Sequence, residues 1–346
     1  MDDAAQYPEL ARYSRQMLFT PIGVAGQRRL KHANVTLVGC GALGSVLAST
    51  LVRAGVGALR LIDRDFIELN NLQRQMLFDE EDIARGLPKA IAAAEKLRRV
   101  NSSIRIEPLV TDVNFGNIET LIQGADIVLD GTDNFETRYL INDACLKNGI
   151  PWIYGGVIGS HGMTMTIRPG KTPCLRCIFA EMPPPGTTAT CDTAGVLGPV
   201  VSTIASIESA EAMKLITGRG RLNEGLITVD LWENRFDTIA ISGRTADCPA
   251  CGRGEYEFLA AREGIHTTTL CGHNAVQVSV KSAARLDFTE LARRLAPVGE
   301  VSFNEFMLRF KADGHEMTLF PDARAIVKGT TDESAAKTLY AKYVGI

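Results

Sequence analysis

The stretch that decides the fold is residues 34–65, NVTLVGCGALGSVLASTLVRAGVGALRLIDRD. A short apolar run (Val35, Leu37, Val38) ends in Gly39-Cys40-Gly41-Ala42-Leu43-Gly44, a helix-like run follows to Ala54, and Gly55 stops it. A second apolar run, 59–62, then delivers Asp63. In this order of strand, glycine turn, helix, strand and acid, each glycine has its own task. Gly39 permits the tight turn, Gly41 lets backbone approach a phosphate, and Gly44 allows close packing of helix on sheet. The helix N-terminus offers unpaired N–H groups to an anion, and Asp63 falls where an acid accepts the hydroxyls of a ribose. Alone the glycine pattern is weak evidence. With its flanking elements it predicts a nucleotide-binding β-α-β unit.

Outward from this unit, a connection at 64–85 is far longer than the usual ~4–6 residues and contains NNLQRQ (70–75). Pro88 is suited to the first position of a helix over 89–100. Apolar runs at 104–106, 126–129 and 152–157 read as further strands, with helices at 117–122 and 136–148 between them. The run at 126–129 ends in Asp130-Gly131-Thr132-Asp133-Asn134, a polar cluster at the carboxyl end of the sheet, where open α/β sheets put their ligands. Residues 163–167 alternate like a half-exposed strand, 180–199 read as a mobile proline-rich loop, and 200–216 as an apolar helix. Two closing strands follow at 226–231 and 236–241. The fold expected is α/β, a Rossmann-like doubly wound mixed sheet, over residues 1–252. A small α+β domain is expected over 265–346, in the order β-α-β-β-α.

Composition narrows the function classes. The chain has 346 residues, 45% hydrophobic content and a net charge of −3, which suits a soluble globular protein and argues against bulk nucleic-acid binding. No apolar run reaches the ~20 residues of a membrane helix and the N-terminus, MDDAAQYPEL, has no signal region. A cytoplasmic protein with no membrane partner is therefore expected. There, eight cysteines point to metal or thiol chemistry before disulfides.

Three constellations carry chemistry. A dinucleotide has two phosphate charges, whereas ATP has about four and needs Arg, Lys and a divalent metal. Arg74 and Lys89 are candidate phosphate ligands and Asp133 a candidate magnesium ligand, each with an alternative as a surface charge or, for Asp133, a helix cap. Together they favour ATP over NAD, and none of the five histidines sits where a hydride-transfer enzyme needs an acid or base. Arg15, ahead of the nucleotide unit, could reach a phosphate in its own or a neighbouring subunit. The pairs Cys174/Cys177 and Cys248/Cys251 offer four thiolates for a closed, structural zinc site, with redox dithiols as the alternative. Cys191, in the proline-rich loop, is a candidate nucleophile or sulfur carrier, or else an incidental thiol.

RYSRQ (12–16), GCGALGS (39–45), NNLQRQ (70–75), GLPK (86–89), LDGTDN (129–134), CLRC (174–177), TCDTAGVLGP (190–199) and CPAC (248–251) together resemble the MoeB/ThiF adenylyltransferases, bacterial relatives of ubiquitin-activating enzymes. The resemblance runs from about Arg12 to Cys251. It implies that ATP and Mg2+ activate the C-terminal Gly-Gly carboxylate of a small ubiquitin-like sulfur-carrier protein (ThiS/MoaD type) as an acyl-adenylate, which sulfur then converts to a thiocarboxylate. It implies further that Gly41 and Asp63, with Asp65 in the same motif, hold the nucleotide, Asp63 on the ribose. Asn71, Arg74 and Lys89 would face the phosphates, Asp133 would bind magnesium, and Arg15 would enter the partner's site in a homodimer. Cys191 matches a loop cysteine that some relatives use in sulfur transfer. The sulfur would come from a separate donor such as a cysteine desulfurase or rhodanese. Alternatives kept open are adenylation of a peptide or a modified tRNA base, an NAD-dependent oxidoreductase, and a non-catalytic scaffold.

Overall fold

Apolar runs too short for helices form one eight-stranded sheet in the computed structural model, which describes residues 7–183, 194–241, 243–260, 266–270, 274–279 and 286–344. The strands are β1 (Asn34–Val38), β2 (Ala58–Ile62), β3 (Arg105–Leu109), β4 (Ile127–Asp130), β5 (Trp152–Ile158), β6 (His161–Ile167), β7 (Leu226–Asp230) and β8 (Arg235–Ile239). Their spatial order is β3-β2-β1-β4-β5-β6-β7-β8. Pairing is parallel from β3 to β5 and antiparallel from β5 to β8, so the sheet is mixed. Strand order reverses between β1 and β4, which opens a crevice at their carboxyl ends. The strand at 161–167 is more buried than its alternation suggests, because α5 (Gly198–Thr217) covers it.

Two helices place the crevice. Helix α2 (Ala42–Ala54) starts directly after the glycine turn and ends at Gly55, whose φ of 87° is the left-handed stop that glycine adopts freely. Helix α5 packs along α2, burying Val200, Val201, Ile204 and Ala205. Helix α1 (Gly23–His32) precedes β1. Helix α3 spans Lys89–Val100, the range the sequence reading gave it, with Pro88 as its cap instead of its first helical residue. Helix α4 (Phe135–Asn148) is capped by Asn134, whose Oδ1 accepts the Thr137 N–H at 2.9 Å. Asp133 is thereby free of the capping role it had been offered. The long connection after β2 is not structureless: Glu68 and Asn71 form one capping box, and Asp79 and Asp82 another. The end of the proline-rich segment is pinned as well, since Gly159 and Gly195–Val196–Leu197 exchange backbone hydrogen bonds.

The described residues fall into two compact units, the second lying chiefly from 266 on. That unit is a six-stranded antiparallel sheet with two helices, Phe288–Leu295 and Glu333–Tyr343, each capped by an aspartate (Asp287, Asp332). The expected order β-α-β-β-α is corrected to β-β-α-β-β-β-β-α. A first strand, His266–Leu270, escaped the sequence reading, and the two strands read over 301–310 and 316–328 each split in half. At 304 the Asn304 side chain accepts the Phe306 and Met307 N–H groups and turns the chain. At 321–323 a turn with Ala323 at φ 66° does the same. Among the described residues no helix is long and apolar enough to cross a membrane.

Two predictions follow from packing. At Gly39 (φ 88°) a Cβ would lie 2.5 Å from the Gly131 carbonyl oxygen. Gly39→Ala should therefore cost roughly 1–3 kcal/mol, read as a lower midpoint in chemical denaturation. Asp143 is fully buried and accepts the Phe258 N–H at 3.1 Å; burial raises its pKa to about 6. Because the folded chain holds this proton more tightly than the unfolded one, Asp143 costs stability as pH rises from about 4 to 6. Asp143→Asn should flatten that stretch of the stability profile and raise stability at pH 7.

Candidate active site

The glycine turn is built by backbone contact. A Cβ on Gly44 or on Gly131 would strike the Gly39 carbonyl oxygen, so β1, β4 and α2 meet with no side chain between them. At Gly41 the situation is the reverse. Among the described residues outside its own helix and chain neighbours, only Gln75 Nε2, at 3.8 Å, comes within 4 Å of a built Cβ, so the backbone there is uncrowded. Gly41 is also the N-cap residue of α2, and no side chain caps that end. Space, unpaired N–H groups and the positive end of a 13-residue helix coincide.

Asp63 locks the turn to β2. Its Oδ2 accepts the Cys40 N–H at 2.6 Å and its Oδ1 the Asp65 N–H at 2.7 Å. Burial drives the Asp63 pKa up, against the pull of Lys89 and of these two N–H bonds. Lys89 is buried and reaches Asp65 Oδ2 at 3.3 Å, while its N–H donates to the Asp65 carbonyl at 2.9 Å. Burial works against the ammonium, but Asp65, Asp63 and Asp133 together outweigh it and push its pKa up. Lys89 thus stays charged while buried. Arg64 joins this cluster through Asp112 at 2.6 Å and feels Asp65 and Asp133. Cys40, inside the turn, is fully buried and its thiol is pushed up by burial.

The structure therefore brings Gly39, Gly41, Gly44, Asp63, Asp65, Lys89 and Asp133 to one crevice. Asn71 and Arg74 lie in the connection beside it. Asn71 is buried, with Oδ1 accepting the Glu68 N–H at 3.1 Å, and Arg74 Nη1 donates to the Asn70 carbonyl at 2.7 Å. Arg15 is elsewhere. Its neighbours Tyr13 and Gln16 are fixed to the far end of α2, Tyr13 against Gly55 and Gln16 on the Ala54 carbonyl at 2.9 Å. Thirteen helical residues at ~1.5 Å each separate that end of α2 from the glycine turn by roughly 20 Å. Cys191 lies outside the described residues.

Sequence reasoning missed the support beneath the 130–134 turn. Arg138 is buried, its Nε donating to Asp130 Oδ2 at 3.1 Å and its Nη2 to the Thr132 and Gly155 carbonyls at 2.8 and 3.0 Å. Asp130 Oδ1 accepts the Thr132 N–H at 2.9 Å and its hydroxyl at 2.6 Å. This closed set of bonds fixes the turn that carries Asp133. Behind it, the fully buried Glu208 carboxyl fills the space Gly155 leaves, and neither oxygen has a hydrogen-bond partner among the described residues. Burial and the Asp130 charge hold it well above the usual carboxylate range.

The four cysteines meet in space. Their sulfurs all lie within 4.8 Å of one another, with Cys174–Cys177 at 3.9, Cys174–Cys248 at 3.7 and Cys177–Cys251 at 3.4 Å. A tetrahedral site with metal–sulfur bonds of ~2.3 Å has edges of roughly 3.8 Å, so the set fits such an ion. The hydrogen bond from Cys174 pulls the Cys177 thiol down to about 4. Helix α4 holds the knuckle in place, Asn142 Oδ1 accepting the Leu175 N–H at 3.0 Å and Tyr139 donating to the Phe179 carbonyl at 2.8 Å.

Comparison with known proteins agrees with this geometry. The ThiF family matches residues 13–250. The sulfur carrier protein ThiS adenylyltransferase of Bacillus subtilis is 44% identical over 336 residues, covering 96% of this chain and 99% of that protein. The SAMP-activating enzyme E1 of Haloferax volcanii is 40% identical over 252 residues, 72% of this chain and 92% of its own. Among solved structures, Escherichia coli MccB with MccA-N7isoASN superposes with a TM-score of 0.63 at 27% identity, over 70% of this chain and 74% of MccB. The chain belongs to the ThiF family.

Proposed function

We propose that this protein is an ATP-dependent adenylyltransferase acting on the C-terminal Gly-Gly carboxylate of a ubiquitin-like sulfur carrier of ThiS/MoaD type. The observation that carries this reading is the 44% identity to a ThiS adenylyltransferase along almost the whole of both chains. That extent favours a sulfur carrier over the other acceptors, since the MccB structures resemble the chain less and over less of its length. The hydride-transfer and scaffold readings have no comparable support.

In the reaction the carrier carboxylate attacks the α-phosphorus, the bond to the bridging oxygen breaks, and pyrophosphate leaves. Both reactants are anions, so the work of the site is to offset repulsion and hold the two in line. Lys89 and Arg74 take that role, with Asn71 donating to phosphate oxygens and the Gly39–Gly44 turn receiving them on backbone N–H groups. Asp63, with lone pairs left after its two backbone bonds, takes the ribose hydroxyls, and Asp65 keeps Lys89 in place. Asp133 would hold Mg2+, which supplies charge neutralisation of the polyphosphate. The enzyme would act as a homodimer, with Arg15 entering the nucleotide site of the second copy. Zinc at Cys174, Cys177, Cys248 and Cys251 would be structural, since four thiolates leave no open position. Sulfur would come from a separate donor such as a cysteine desulfurase or rhodanese, and the reaction is placed in the cytoplasm, where thiols stay reduced.

Pyrophosphate exchange into ATP, dependent on a Gly-Gly-ended carrier and magnesium, tests the reading. Lys89→Ala and Asp133→Asn should each lower it by about 10²–10³-fold, the loss expected for a positioned charge in a closed site. No carrier-dependent exchange with any such protein overturns the assignment. The metal reading predicts one zinc per chain by elemental analysis. Cys248→Ser should lose the zinc and lower the melting temperature, while ATP binding, measured well below that temperature, persists.

A further inference from the structure

Gln75 is 4% exposed, yet its Oε1 has no hydrogen-bond partner among the described residues. The backbone around it is fixed on both sides: its N–H donates to the Asn71 carbonyl at 2.9 Å, and its carbonyl accepts the Phe78 N–H at 3.2 Å. The adjoining residues abut the start of α5, Gln73 O lying 3.2 Å from a built Gly198 Cβ and Met76 S 3.5 Å from the Ser202 hydroxyl. The side chain is thus delivered to a defined place. That place is beside Gly41: Nε2 lies 3.8 Å from a Cβ built there, at the start of α2, which no side chain among the described residues caps.

A core role does not account for this residue. A buried amide left unpaired is destabilising, and an apolar side chain of the same length would fill the space at no such cost. A ligand with both acceptors and donors resolves the deficit. Polyphosphate oxygens accept from the amide nitrogen, and sugar hydroxyls donate to the amide oxygen. We propose that Gln75 is a nucleotide-contacting residue of this enzyme, its side-chain amide bonding the ATP held at the Gly41 turn. The proposal rests on the ATP reading above and adds a residue to it.

The test uses the full-length chain with Mg·ATP in titration calorimetry, paired with melting of the nucleotide-free protein. Gln75→Met keeps length and volume but removes both polar atoms. It should weaken ATP binding by about tenfold or more, the loss typical of a hydrogen bond to a charged group. The melting temperature without nucleotide should hold or rise, because an unpaired buried amide has been removed. Gln75→Glu puts a carboxylate against the phosphates and should weaken ATP binding further. Unchanged ATP affinity in both variants, with or without a fall in melting temperature, overturns the proposal. Wild-type protein that binds no ATP would instead overturn the ATP reading itself.

Discussion

The contact on which the architecture turns is one from which side chains are absent. Gly39, Gly44 and Gly131 bring the ends of β1 and β4 and the start of α2 so close that a single added carbon would meet a carbonyl oxygen. That approach narrows the crevice where strand order reverses and aims the α2 N-terminus across it. The polar residues are then arranged around a rigid, nearly bare backbone. Asp63 fastens the turn to β2 through the Cys40 N–H, and the Asp130–Arg138 pair fastens the neighbouring 130–134 turn through Thr132. Each fastening uses a buried charge whose lone pairs or protons are taken up by backbone groups, the condition under which a buried ion is tolerable.

Charge at the crevice is balanced before any substrate enters. Lys89 is buried among Asp63, Asp65 and Asp133, and their field more than offsets the penalty of burial. An ammonium without those carboxylates would lose its proton or swing to solvent. The same carboxylates are unwelcome neighbours for a triphosphate, which is why a divalent cation belongs in the reading: Asp133 is exposed and stands on a fixed turn. The arrangement suits a ligand that arrives as a metal complex better than a bare dinucleotide.

What could be read from the sequence is what local spacing determines. Gly39, Gly41, Gly44 and Asp63 lie in one β-α-β unit, so their meeting follows from periodicity alone. The two cysteine pairs showed their chemistry by spacing, although their approach to 3.4 Å depends on α4, through Asn142 and Tyr139, which no motif announces. Arg138 and Glu208 were invisible because their roles come from packing helices on the sheet, not from any repeat. The misplaced strands of the second unit have a related cause. Two long apolar runs were cut by turns that rest on a single Asn304 side chain and on one left-handed residue, Ala323.

Stability and function are set against each other at this crevice in a way that separates its residues into two kinds. Asp130 and Arg138 are engaged with the protein and would hold their turn in place with or without substrate. Gln75 is placed just as firmly by its backbone but leaves a polar atom unanswered. Evolution toward stability alone would replace it with a methionine or leucine, since nothing in the fold requires an amide there. An unmet hydrogen bond beside an open helix N-terminus is the mark of a group whose partner is a substrate. By contrast, Glu208 also lacks a hydrogen-bond partner among the described residues, but it packs against Gly155, and burial raises its pKa well above the usual carboxylate range. Proximity to the helix N-terminus, and not the bare fact of being unpaired, separates the residue that binds from the residue that packs.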